Sequence, residues 1–355
     1  MSRFVLDCAL SRPVDTDAAQ WLGMAATRAW APPSAGYHEA KISEALLQQA
    51  GRTLAGLLGG ANAWFVADPA QAVAHASLDL AVGGQYREIV TGQADPLVVR
   101  ESVEAAAAQA GLGMRILPVD ARGRLTDLPD GPCVLVTSAV NQEIGTRQAP
   151  LSDWARRSGS AVVLEASSAY GWTDLPDHWD RVVLDARAWG SPAGAVAVVS
   201  RVPGRPRMFD NVPAAVAAGL TAQRWAQAAV GQRQRTRDQL RRIVKEVRSR
   251  VSDVDVHGAG ADDAPHIVSL SVLYVDAEAL QSRLDAKGYA VGSGSACASR
   301  TGQPSHVLAA IGGLTSGNVR LGLPPDLPEE AVNGFIEAFV EVVAAVRAEM
   351  GTDRL

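Results

Sequence analysis

Apolar residues along this chain fall into two alternating spacings. Short, mostly apolar runs, AWFVA, REIVTG, MRILPVD, CVLVTS, AVVLEA, RVVLDA and AVAVVS, each have the length of a buried strand. Between them the apolar residues recur at helical intervals. Ala40 to Leu58 reads as a helix stopped by Gly59 and Gly60, and ESVEAAAAQA and LSDWARRSG read as two more. This alternation predicts an α/β fold, a mostly parallel sheet sandwiched by helices. After Pro203 the character changes to long helices, then a strand HIVSLSVLYV, a helix DAEALQSRLDAKG, a strand NVRLGL and a terminal helix from Pro328 to Met350. That is the pattern of a smaller α+β unit. The expected division is a large α/β domain over residues 15–210 and a small domain built from 1–14 and 211–355.

Between Arg233 and Arg250 many arginines gather, while Leu240, Ile243, Val244, Val247 and Val251 keep helical spacing. The expectation is a helix with one buried face and its arginines solvated on the other. With a net charge of −5, nucleic acid is not expected as a partner. At 355 residues and 47% apolar content, the chain can build two sizeable cores. No apolar run reaches the roughly 20 residues of a membrane helix. The N-terminal MSRFVLDCALSRPVD is polar where a signal peptide needs its apolar stretch, so no membrane partner and a cytoplasmic location are expected. Cys8, Cys133 and Cys297 are far apart and show no CxxC spacing, which predicts neither a disulfide framework nor a metal site. Cys8 and Cys133 lie beside or inside apolar runs and read as core residues.

Cys297 differs from them. It sits in VGSGSACASRTGQPSHVLAA, where Gly292, Gly294 and Ser295 predict an exposed loop able to present a thiol. Downstream, His306 opens a helix that it is expected to cap or pack, and Arg320 in NVRLGL offers a bidentate clamp for a carboxylate. The chain has only three lysines, Lys41, Lys245 and Lys287. Any chemistry that needs a lysine imine has few places to find one.

The segment VGSGSACASRTGQPSHVLAAIG resembles the persulfide loop of cysteine desulfurases, fold-type-I, pyridoxal-phosphate-dependent enzymes of the class V aminotransferase group. LDCALSRPVD resembles that family's N-terminal LDxAATTPVD, and LPVDARGRL and NQEIGTRQAP resemble its central segments, so the likeness spans nearly the whole chain. It implies a fold-type-I large domain and a small C-terminal domain, Cys297 as persulfide-carrying nucleophile, and Arg320 as the clamp for a substrate carboxylate. Carried over residue by residue, it also implies a changed cofactor site. Ala188 falls where the imine-forming lysine belongs, with Asp185, Ala186 and Arg187 before it. Asp68, followed by Pro69, falls in the phosphate-cradling turn, and Asp95 where a histidine stacks on the cofactor ring. Gln142 falls within the Asn-Asn-Glu trio. Glu165 takes the place of the aspartate that binds the ring nitrogen, and Ser168 that of the glutamine after it. The glycine-rich stretch that reaches a neighbouring subunit's phosphate is missing between Arg205 and Asn211.

The resemblance therefore implies a degenerate member that binds no pyridoxal phosphate. The expectation is a non-desulfurating partner, regulator or persulfide relay in sulfur metabolism, acting through Cys297. Its partners would be a second copy of itself in a homodimer, a sulfur donor or acceptor protein, or an active desulfurase. An ion pair of Asp185 or Asp68 with Arg187 is expected across the vacated site. The alternative is an enzyme with changed chemistry on the same scaffold, holding the cofactor non-covalently or using none.

Overall fold

The structure, a computed structural model, describes residues 3–84, 86–204, 207–294 and 304–351. A short strand β1 (Phe4–Val5) precedes helices α1 (Thr16–Arg28) and α2 (His38–Leu58). There follow β2 (Asn62–Val66), α3 (Pro69–Gly83), β3 (Glu88–Gly92), α4 (Leu97–Ala110), β4 (Gly113–Leu117), β5 (Val134–Ser138), α5 (Ser152–Ser158), β6 (Ala161–Glu165), β7 (Arg181–Asp185), a 3-10 turn at Ala186–Trp189, and β8 (Val196–Ser200). The remainder comprises α6 (Val212–Arg250), β9 (Val254–Gly258), β10 (Ile267–Val272), α7 (Ala277–Ala286), β11 (Tyr289–Ala290), α8 (His306–Ala310), β12 (Asn318–Gly322) and α9 (Glu329–Glu349).

The seven apolar runs form one sheet in the order β2-β8-β7-β6-β5-β3-β4. Strands β7, β6, β5, β3 and β4 run parallel, and β8 lies antiparallel to both of its neighbours. Every residue of β5, β6 and β8 is buried, because helices cover both faces. Alternate side chains serve different cores. Leu135, Leu164, Leu184 and Val199 face α2 and the first half of α6, whereas Val134, Val163, Val183 and Val198 face α3 and α4. Helix α2 stops where expected: Gly59 adopts φ +68° and its N–H closes on Ala55 and Gly56 carbonyls, a conformation that costs glycine little.

The smaller unit is the antiparallel sheet β12-β10-β9, backed by the second half of α6 and by α9, with Phe335 and Phe339 fully buried. β1 joins it from the other end of the chain, pairing in parallel with β11 through Phe4 and Tyr289. Helix α6 is roughly 60 Å long. Val212 to Ala229 belong to the large core, and Leu240 to Val251 to the small one.

Helix α6 buries Leu240, Ile243, Val244 and Val247 and exposes Arg241 and Arg248 as expected, but several of its other arginines also reach neighbouring groups. Arg233 donates to the Gly171 carbonyl at 2.8 Å, Arg235 to Leu327 at 3.1 Å, and Arg237 to the carbonyls of Gly260, Ala261 and Asp263. Arg242 and Arg250 pair with Glu329 and Glu337. Arg241 and Arg248 stay on the exposed face that the spacing predicts, while the long side chains at its margins reach over to neighbouring carbonyls and carboxylates.

Candidate functional site

The loops leaving β3, β5, β6 and β7 converge at the carboxyl edge of the parallel strands, where open α/β sheets place their ligands. Asp95 follows β3 and is buried. Its Oδ1 accepts from Ser138 N at 2.8 Å and Thr137 Oγ1 at 3.1 Å, and its Oδ2 from Gly92 N at 2.8 Å and Thr91 Oγ1 at 3.1 Å. Burial pushes its pKa up, and these four bonds pull against that. The carboxylate thus ties β3 to β5, with both oxygens taken up by the chain's own donors. Asn141, after β5, holds the next turn: its amide donates to Ala94 O and its Oδ1 accepts from Glu143 N and Ile144 N. Gln142 lies half-buried between them.

Glu165 ends β6. Its Oε1 accepts from Ser167 N at 2.9 Å, whereas Oε2 is buried and without a hydrogen-bond partner among the described residues. Burial raises its carboxyl from 4.5 to about 7; hydrogen bonds from Ser167 oppose the rise, and the charges of Asp185 and Asp95 reinforce it. Ser167 Oγ in turn accepts from Asp185 N, and Ser168 donates to Ala9 O. Asp185, closing β7, forms a forked ion pair with Arg187, with Nε at 2.9 Å and Nη2 at 2.5 Å. Ala188 follows, buried in the large core. Asp68 stands exposed before α3, and its carboxylate accepts from Ala70 N and Gln71 N while contributing to the field on Arg187. The N-terminus of α3 is thereby closed by the chain's own anion, and Pro69 brings no N–H.

The smaller unit meets this edge through several contacts. Ser305 hydrogen-bonds Glu143 Oε1 and caps α8 by accepting from Leu308 N. The cap is therefore Ser305, not His306, since the hydroxyl sits one residue before the first helical position. The His306 ring instead meets the Asp95 carbonyl through Nε2 at 2.9 Å. Burial raises the Glu143 carboxyl and lowers the His306 imidazole. Arg320, nearly buried, donates to Asp7 Oδ1 at 2.6 Å, and Gly292 pairs with its backbone. A Cβ at Gly292 would collide with both Asp7 and the Arg320 guanidinium, which is why glycine stands there. Cys297 lies outside the described residues. Cys8 and Cys133 are buried, with burial pushing the Cys8 thiol to about 11, so neither is a ready thiolate.

Four carboxylates, Asp95, Glu143, Glu165 and Asp185, thus share this edge with two guanidinium groups, Arg187 and Arg320, each already engaged by an aspartate. Burial raises three of these carboxyls, Asp95, Glu143 and Glu165, and the gathered negative charge disfavours a bound anion. Lys41 and Lys245 are exposed on α2 and α6, and Lys287 pairs with Glu341 at 2.8 Å. Among the described residues no group of three His, Cys, Asp or Glu is arranged to hold a metal, and no helix is long and apolar enough to cross a membrane. Sequence reasoning passed over Asp7, and met Glu143 and Ser305 only as members of the Asn-Gln-Glu trio and the Pro-Ser-His segment, with no role assigned. Asp7 and Arg320 are too far apart in the chain for spacing to pair them. The Asn-Gln-Glu trio did mark Glu143's neighbourhood.

Comparison with known proteins agrees with this architecture. The Aminotransferase class-V family matches residues 198–335. The human protein named cysteine desulfurase is 28% identical over 353 residues, covering 86% of this chain and 74% of that one. A cysteine desulfurase of Bradyrhizobium diazoefficiens is 29% identical over 338 residues, covering 85% of this chain and 84% of its own. Among solved structures, a NifS-like protein superimposes with a TM-score of 0.81 at 18% identity, over 97% of this chain and 100% of that one. Apo cysteine desulfurase from Thermococcus onnurineus gives 0.81 at 14% identity, over 97% and 95%. The seven-stranded sheet and the small C-terminal sheet are thus a NifS-like α/β fold, and the sequence is similar to cysteine desulfurases over most of its length and to the Aminotransferase class-V family over residues 198–335.

Proposed function

We propose that this protein works without pyridoxal phosphate, as a non-desulfurating partner, regulator or persulfide relay whose working group is Cys297. One observation carries the reading. Ala188 stands after β7 at the position that resemblance assigns to the cofactor lysine, and the chain's three lysines lie on other elements. An alanine cannot form an imine, and Arg187 beside it cannot substitute, because guanidinium does not deprotonate.

The surrounding groups do not fit the cofactor of the family either. A phosphate at the N-terminus of α3 would have to displace the Asp68 carboxylate from Ala70 N and Gln71 N and would then sit beside that charge. Asp95 offers no ring to stack on a pyridine. No chemical step of this protein is therefore routed through pyridoxal phosphate. A substrate carboxylate reaching Arg320 would likewise have to displace Asp7. In a relay, a thiolate at Cys297 attacks the terminal sulfur of a donor persulfide. The donor leaves as a thiolate, and the acceptor thiolate later removes the same sulfur from Cys297, so no external oxidant or reductant is needed. The protein would work as a homodimer or beside an active desulfurase.

A second reading, an enzyme with changed chemistry on this scaffold, draws support from Glu165. A buried carboxyl with a pKa near 7 and a free oxygen is a competent proton carrier. Two measurements separate the readings. Purified protein incubated with pyridoxal phosphate should stay free of a stoichiometric, borohydride-reducible chromophore, and a yellow, reducible species would overturn the proposal. Sulfur from a labelled persulfide donor should mark the wild type and leave Cys297→Ser unlabelled; equal labelling of both would rule out the relay.

A further inference from the structure

A cleft of about 410 Å³ lies beside the 3-10 turn at Ala186–Trp189, walled by Trp189 and Trp225 and bordered by Arg12, Asp15, Arg235 and Asp326. The two tryptophans are themselves fixed. Trp189 Nε1 donates to Ala218 O and Trp225 Nε1 to Tyr170 O, so the apolar wall is rigid. Most charges around the cleft are committed. Arg224 pairs with Asp17 and Asp15, Asp15 also caps α1 through Asp17 N, and Arg235 donates to Leu327 O. Two are not. The Arg12 guanidinium lies over the Trp225 ring, 4.1 Å from its centroid, and its Nε is buried without a partner. Among the described residues its side chain has neither a hydrogen bond nor an ion pair, and the same holds for the Asp326 carboxylate. The two attract one another, yet they do not reach ion-pair contact.

A guanidinium largely withdrawn from water and left unpaired is costly, and Trp225 compensates only part of that cost. A simple anion in the cleft would relieve Arg12 but face Asp326 and Asp15. A simple cation would do the reverse. A small molecule with a carboxylate at one end and an ammonium group a few ångströms away satisfies both charges, and its apolar part can rest on Trp189 and Trp225. The dimensions suit it, since cavities of this size take ligands of amino-acid size and larger. We propose that this cleft binds a free α-amino acid, its carboxylate held by Arg12, its ammonium group by Asp326, and its apolar side chain by the two tryptophans. The inference does not rest on Cys297 or on the fate of the cofactor.

The full-length protein is titrated with L-leucine, following tryptophan fluorescence and heat. The same titration uses N-acetyl-L-leucine, which lacks the ammonium group, and L-leucinamide, which lacks the carboxylate. Saturable binding of leucine, weakened about tenfold or more in each derivative, is the expected result. Arg12→Gln should abolish the preference for leucine over leucinamide, and Asp326→Asn the preference over N-acetyl-leucine. Asp326 is exposed, so its replacement tests the site even if Arg12→Gln does not fold. No saturation up to the order of 10 mM, equal affinity for the three compounds, or unchanged discrimination in Asp326→Asn would each overturn the proposal.

Discussion

Glu165 has a carboxyl that burial lifts from 4.5 to about 7, with Ser167 opposing and Asp185 and Asp95 adding to the effect. The folded state therefore holds this proton more tightly than the unfolded chain does. The stability it contributes is complete below about 4.5 and is lost as pH rises through about 7. Glu165→Gln, which keeps the shape without the charge, should leave stability unchanged near pH 4. By about pH 8 it should exceed wild type by on the order of 3 kcal/mol, measured by denaturant unfolding across that range. A constant difference between the two proteins at all pH values would mean that the carboxyl does not titrate as described. The sequence identified Glu165 as a position of interest. It could not reveal the orphaned oxygen, because that depends on Asp95 and Asp185 arriving from other strands. Arg320 is a similar case: its bidentate guanidinium and the family resemblance marked it as a clamp, and only the folded chain sets Asp7 against it.

At the scale of single elements, α3 shows how local chemistry and site chemistry compete for the same groups. Asp68 satisfies two of the helix's unpaired N–H groups, and Pro69 removes the need for another. Asp68→Ala should cost about 1 kcal/mol of stability in urea unfolding. A negligible loss would show that water satisfies Ala70 N and Gln71 N equally well. The strands of the large sheet were legible in the sequence because both faces are covered, which turns each into a short apolar run. Helix α3 was not, because alanine and valine appear on nearly every side of PAQAVAHASLDLAVG and blur its period. Strands β1 and β11, two residues each, carry no period at all and exist only through their mutual pairing. Cap identity at α8 escaped for a different reason: Ser305 and His306 are both plausible in sequence, and Glu143 selects between them in space.

For the molecule as a whole, α6 is the member shared by two cores. All eight tryptophans lie at or before Trp225, so their fluorescence reports the large unit, and Phe339 lies in the core of the small one. Phe339→Ala should cost about 3–5 kcal/mol. If α6 couples the units, the tryptophan midpoint in urea should fall together with the helical circular dichroism. A fluorescence midpoint that stays at its wild-type value while the dichroism splits into two phases would show that the units unfold separately.

The pairing of β1 with β11 bears on how the chain is made. Tyr289 leaves the ribosome 285 residues after Phe4, roughly half a minute at ordinary elongation rates. Throughout that interval the seven strands of the large sheet can assemble, while β1 waits without its partner strand. Only late in synthesis can it dock, and with it Asp7 reaches Arg320. The nascent protein therefore passes through a stage in which its larger half is complete and its arginine-bearing half is not. Docking of β1 is therefore a late step, and the Asp7–Arg320 contact forms only after β11 and β12 have been made.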